Sequence, residues 1–200
     1  RGIIGDELRR LEISSRLRIG RPRAADVTHF RATFGSALAR QVEVSPAPWT
    51  SPETVERARV VYTQIGQNPI LVKKEIDGFI LNRLQGAVLN EAMRLVGEGY
   101  VSAADLDKTI KDGLGLRWSF MGPFETIELN APAGIPDYCA RFEGMYRPMA
   151  ENPPQPQVWD KANIDRIVAD WGQAPSPEQV RAKSRWRDER LAALAAHKKG

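Results

Sequence analysis

Lys74-Glu75-Ile76-Asp77-Gly78-Phe79-Ile80-Leu81-Asn82-Arg83-Leu84-Gln85 is the stretch from which the rest of the chain is read. Asp77 is placed to cap a helix, and Gly97 or Gly99 to stop it, after about five turns. Ile80, Leu84, Val88, Ala92 and Leu95 recur at steps of three and four, while Leu81, Leu89 and Val96 widen the stripe. The pattern predicts a mostly buried helix over 77–97. Asn82 falls in its first turns, where an amide without partners costs roughly 1–3 kcal/mol. Taken alone, the residues favour a satisfied core or cap asparagine.

Further motifs follow in order. Glu91-Ala92-Met93-Arg94-Leu95-Val96 continues the helix, and Asp112-Gly113-Leu114-Gly115-Leu116-Arg117-Trp118-Ser119-Phe120-Met121-Gly122-Pro123-Phe124-Glu125 comes after it. Together with Asp77 to Leu84 they resemble the 3-hydroxyacyl-CoA dehydrogenase family, in its branch of lambda-crystallin and L-gulonate 3-dehydrogenase type. The resemblance covers about residues 42–195 and leaves out 1–41. It implies a mainly α fold: a helical substrate-binding and dimerisation domain over 76–200, preceded by a short α/β remnant of a nucleotide-binding domain over 1–75.

In that family a histidine takes the proton of a secondary alcohol, a glutamate orients the histidine, an asparagine bonds near the reacting oxygen, and NAD accepts the hydride. Carried over by position, the resemblance makes Glu43, in Val42-Glu43-Val44, the glutamate and Asn82 the asparagine. The family's His-Pro-x-Asn-Pro-Pro segment would put its histidine twelve residues before the glutamate. Arg31 stands there, and His29 is the nearest histidine. Either the stretch has diverged, or the Arg- and Ala-rich text from Arg16 to Arg40 comes from an altered reading frame. Glu43, Asn82 and His29 are therefore the catalytic candidates, and Arg117, Trp118 and Ser119 those for binding substrate.

Two hundred residues with 42% hydrophobic content can bury a sizeable core. No apolar run approaches a membrane span and the Arg-rich beginning lacks a signal-peptide core, so the expectation is a cytoplasmic protein with no membrane partner. The single cysteine, Cys139, excludes an intrachain disulfide and offers no metal spacing, and is read as a small buried hydrophobe. A net charge of +4, dispersed over many arginines, argues against nucleic acid and suits a small acyl, carboxylate or phosphate-bearing molecule. No Gly-x-Gly-x-x-Gly occurs, so no cofactor is expected; without Cys/His spacing no metal site is assigned, and metal help stays open only for a hydrolytic reading.

The remaining elements follow from punctuation. Residues 1–15 fit a short amphipathic helix, or a strand and a helix. Val42-Val44 and Ile70-Lys73 read as strands, with Pro69 as a breaker. Thr50 and Glu53 form a capping-box spacing for a helix over 51–65 that Gly66 stops. Helices follow over 103–112 (capped by Ser102), 123–129, 133–149, 159–171 and 177–197, with Gly113 and Gly115 making a bend. Lys198 and Lys199 complement the dipole of the last helix. Tyr138, Phe142 and Tyr146, at four-residue spacing, suit a core or a subunit contact.

Three functions stay open. The first is a truncated dehydrogenase-like protein that keeps the substrate and dimerisation domain without hydride transfer of its own. The second is a redox-independent ester or phosphoester hydrolase in a cleft left by the missing part, using Glu43, Asn82, Arg117, Ser119, Cys139 or His29. The third is a non-catalytic dimeric binding protein. A homodimer is expected, because apolar surface on Ile70, Val72 and Phe79 would otherwise stay wet.

Overall fold

The computed structural model describes residues 41–198 and the backbone of His29–Ala32. The reading of residues 1–15 and the dipole role of Lys199 lie outside the described residues. Elements run β1 (His29–Ala32), β2 (Gln41–Ser45), α1 (Pro52–Gln64), β3 (Asn68–Leu71), α2 (Phe79–Gly97), α3 (Ala103–Lys108), a π-helical turn (Thr109–Leu114), α4 (Gly115–Trp118), α5 (Pro123–Glu128), α6 (Gly134–Glu151), a 3-10 turn (Pro156–Trp159), α7 (Lys161–Trp171) and α8 (Pro177–His197). The fold is mainly α with a short α/β part, as the resemblance implied. The chain divides into two units, one holding the described residues up to Gln85 together with Arg185–Ala196, the other holding Gly86–Ser184 and the described residues from His197.

In the first unit the sheet order is β1-β2-β3. β1 runs antiparallel to β2, with His29 opposite Ser45 and Arg31 opposite Glu43. β2 and β3 are parallel and joined through α1, and Val72 extends the ladder by donating to Val44 O at 2.8 Å. Alternation puts Val42 and Val44 on one face, where they pack with Tyr62 and half-buried Val55, and Glu43 on the other. Pro69 does not break the second strand, which begins at Asn68 rather than Ile70. β3 is a sheet edge, where a missing N–H leaves no ladder bond empty. The cap of α1 is Ser51, whose Oγ accepts from Thr54 N at 3.3 Å; Thr50, the expected cap, accepts from Ala47 N instead. Gly66, at φ 80, closes α1 with bonds from Gly66 N to Thr63 O and from Gln67 N to Tyr62 O.

The same closure ends α2: Gly99 at φ 80 donates to Val96 O and Tyr100 to Leu95 O. Gly99 is therefore the stop, and Gly97 lies inside the helix. The expected burial of α2 is not found in the single chain. No residue of α2 is buried, and Leu84 is 58% exposed. Val72, expected to be wet, is buried under the sheet ladder, and Cys139, expected inside, is exposed.

In the second unit the expected bend at Gly113 and Gly115 is instead a continuous helical passage from α3 through the π turn into α4. Gly115 N donates to Ile110 O, and a Cβ on Gly115 would approach that oxygen to 2.9 Å, so the wide turn depends on glycine. Ser102 caps α3 as expected, accepting from Asp105 N at 3.1 Å. Asp170, from α7, accepts from Ala103 N at 2.5 Å and supplies a second cap from a distant element.

Candidate functional site

The beginning of α2 is built from two distant pieces of chain. Gly78 and Phe79 stand in the left-handed region, at φ 81 and φ 51. For phenylalanine that costs on the order of 1–3 kcal/mol, so the surroundings must hold the turn in place. They do so through Glu43, which is 3% exposed. Its Oε2 accepts from Ile80 N at 3.2 Å and its Oε1 from Leu81 N at 2.8 Å, with Gln41 Nε2 donating to Oε1 at 3.3 Å. A buried carboxylate without donors would cost several kcal/mol. Here the free N–H groups and the positive end of the helix dipole meet it. Asp77 is therefore not the cap; that duty belongs to a strand 38 residues earlier.

Asn82 follows directly after the two capped amides. It is exposed and its side chain makes no hydrogen bond among the described residues. The satisfied-asparagine reading therefore does not hold within the described residues. A bare amide with two donors and one acceptor oxygen, fixed on a clamped first turn, suits a polar group of a ligand. His29 lies in β1, in register with Ser45, and its side chain is outside the described residues.

Arg117, Trp118 and Ser119 lie together in the second unit, at and just after the end of α4. Ser119 Oγ donates to Gly115 O at 3.0 Å, which commits its proton to the backbone. Arg117 and Trp118 are exposed, and Arg117 forms no ion pair among the described residues. On α6, Tyr138 and Phe142 rings lie 4.5 Å apart, and the Tyr138 and Tyr146 hydroxyls are 3.0 Å apart. That hydrogen bond holds the Tyr138 hydroxyl above its ordinary pKa, and the nearby positive charge of Arg117 opposes the shift. The described side chains contain no group of three His, Cys, Asp or Glu that could hold a metal ion.

The sequence pattern did not point to the left-handed pair Gly78-Phe79 or to Glu43 as a cap. A Gly-Phe pair after Asp77 carries a turn signal only for the glycine, and a long-range cap leaves no spacing to read.

Residues 78–173 match the 3-hydroxyacyl-CoA dehydrogenase, C-terminal domain, family. Residues 78–173 thus form a C-terminal domain of the 3-hydroxyacyl-CoA dehydrogenase family. It is 47% identical over 161 residues to lambda-crystallin of Oryctolagus cuniculus, covering 79% of this chain and 50% of that protein. Over 154 residues it is 36% identical to L-carnitine dehydrogenase of Pseudomonas putida, covering 76% and 48%. The chain thus spans about half the length of the curated relatives it matches. A solved structure of 5-formyl-3-hydroxy-2-methylpyridine 4-carboxylic acid 5-dehydrogenase, described as an NAD+-dependent dismutase, superposes with a TM-score of 0.66 at 25% identity, over 86% of this chain and 55% of that one.

A family of dehydrogenases implies a nicotinamide dinucleotide, whose diphosphate is commonly taken at a helix start that follows a strand. The βαβ unit β2-α1-β3 has its helix start occupied, since Ser51 takes Thr54 N and the first turn carries Glu53. A diphosphate needs free amides and no carboxylate at that place.

Proposed function

We propose that this chain supplies the substrate-facing and pairing part of a dehydrogenase acting on a small hydroxyacyl or hydroxycarboxylate molecule, and does not carry out hydride transfer by itself. The observation that carries the proposal is the first turn of α2: Glu43 fixes it, and Asn82 is left bare on it. Glu43 spends both carboxylate oxygens on backbone amides. It acts as a positioning residue that holds Asn82 where a substrate oxygen can be met.

The exposed apolar stripe on α2 fits a second copy of the chain as its cover, and the resemblance points the same way. A hydrolytic reading has less behind it. Among the described residues Ser119 gives its proton to a carbonyl, and Cys139 has no histidine or carboxylate hydrogen-bonded to it.

The test is binding without turnover. Calorimetric titration with 3-hydroxybutyryl-CoA and with 3-hydroxybutyrate is expected to give saturable binding of at least one of them, weakened about tenfold or more by Asn82→Ala. No binding of either, or equal binding by the variant, would count against the assignment.

A further inference from the structure

Glu43 reaches the start of α2 from the middle of β2, and its carboxylate must keep one orientation to meet two amides at once. The last torsion of a glutamate is broad and roughly two-fold, so the side chain does not fix that orientation by itself. Three donors do. Leu81 N at 2.8 Å and Gln41 Nε2 at 3.3 Å share Oε1, while Ile80 N at 3.2 Å takes Oε2. Two of the three belong to the helix that is being held. Gln41 is the only side-chain donor to the carboxylate among the described residues, and it comes from the strand that carries Glu43.

Alternation along β2 places Gln41 and Glu43, two residues apart, on one face of the sheet. Their contact is local and needs no distant packing to form. Gln41 is half-buried and Glu43 buried, so water competes little for the carboxylate. An amide donating to a carboxylate there makes a charge-assisted bond, stronger than one between neutral groups. Strain gives that bond its leverage. Phe79 stands at φ 51, a conformation that persists only while the surroundings hold it. Leu81, whose amide is held by Oε1, directly precedes Asn82.

We propose that Gln41 is a positioning residue for Asn82: by fixing the Glu43 carboxylate it keeps the first turn of α2 in the conformation that presents the Asn82 amide to substrate. The role rests on the reading of Asn82 as the substrate-facing group.

The isotope-labelled full chain tests it, beside Gln41→Leu, which removes the donor at similar volume, and Gln41→Lys, which keeps one. The shift and the hydrogen exchange of the Leu81 amide proton read the cap without any ligand, and titration with 3-hydroxybutyryl-CoA and with 3-hydroxybutyrate reads the site. Gln41→Leu is expected to move the Leu81 amide proton upfield, to speed its exchange about tenfold and to weaken ligand binding about three- to tenfold. Gln41→Lys is expected to restore both. A residue that only supports the fold would shift the denaturation midpoint and leave the affinity of the folded chain unchanged. A Leu81 amide unmoved by Gln41→Leu, or an affinity equal to that of the wild type, would overturn the role of Gln41 and leave that of Asn82 standing. Absence of binding by the wild type would remove the substrate reading itself, and this role with it.

Discussion

Leu81 donates its backbone N–H to Glu43 Oε1 at 2.8 Å, joining the first turn of the longest helix of the matched domain region to a strand 38 residues earlier. Replacing Glu43 by Ala leaves the amides of Ile80 and Leu81 without acceptors beside a strained turn. The expected loss of stability is about 2–4 kcal/mol. Glu43→Gln keeps one acceptor oxygen and should lose about half as much. Chemical denaturation of the three proteins checks the order, and a Glu43→Ala variant as stable as wild type would show that the cap carries no load.

Two glycines near the end of α2 separate close packing from backbone strain. Gly99→Ala forces alanine into the left-handed region at φ 80, with nothing within 4 Å of its Cβ, and should cost about 1 kcal/mol. Gly97→Ala sits in ordinary helix, where alanine would normally stabilise. Its Cβ would collide with Asn163, so about 2 kcal/mol or more should be lost. Thermal melts of both variants decide the ranking.

Tyr62, buried against Val42 and Val44, has its hydroxyl pKa pushed up to about 12 by desolvation. The unfolded chain deprotonates near the ordinary value of about 10 and the folded chain only later. Stability from this group is therefore complete below about pH 10 and lost as pH rises toward 12, at about 1.4 kcal/mol per pH unit. Denaturation curves across that window should show the slope in wild type and a shallower one in Tyr62→Phe.

The wet stripe of α2 should draw two chains together. Light scattering at micromolar concentration is expected to give twice the 22.3 kDa of one chain, and Leu84→Asp should return it to one. A wild-type mass of 22.3 kDa would remove the second copy from the account.

Much of the fold was legible because its signals are local. Apolar steps of three and four placed α2, and Ser102 and Gly66 marked ends that the structure keeps. The misses share a physical cause. Asp77 is a good local cap that lost to Glu43, a partner distant in sequence. Gly115 is a turn signal on paper, yet in the chain it removes a Cβ from the path of Ile110 O. Gly97 likewise marks a close approach by Asn163 that no spacing reveals. At the site, Glu43 and Asn82 were found by resemblance, and only the coordinates show that the first positions the turn carrying the second.

The central claim is that this chain presents substrate without holding the hydride acceptor, and calorimetric titration with NADH tests it most directly. The account expects no saturable heat, because Ser51 and Glu53 occupy the start of α1 and the Glu43 carboxylate that of α2, the described helix starts that follow β2 and β3. A dissociation constant in the low micromolar range would contradict it.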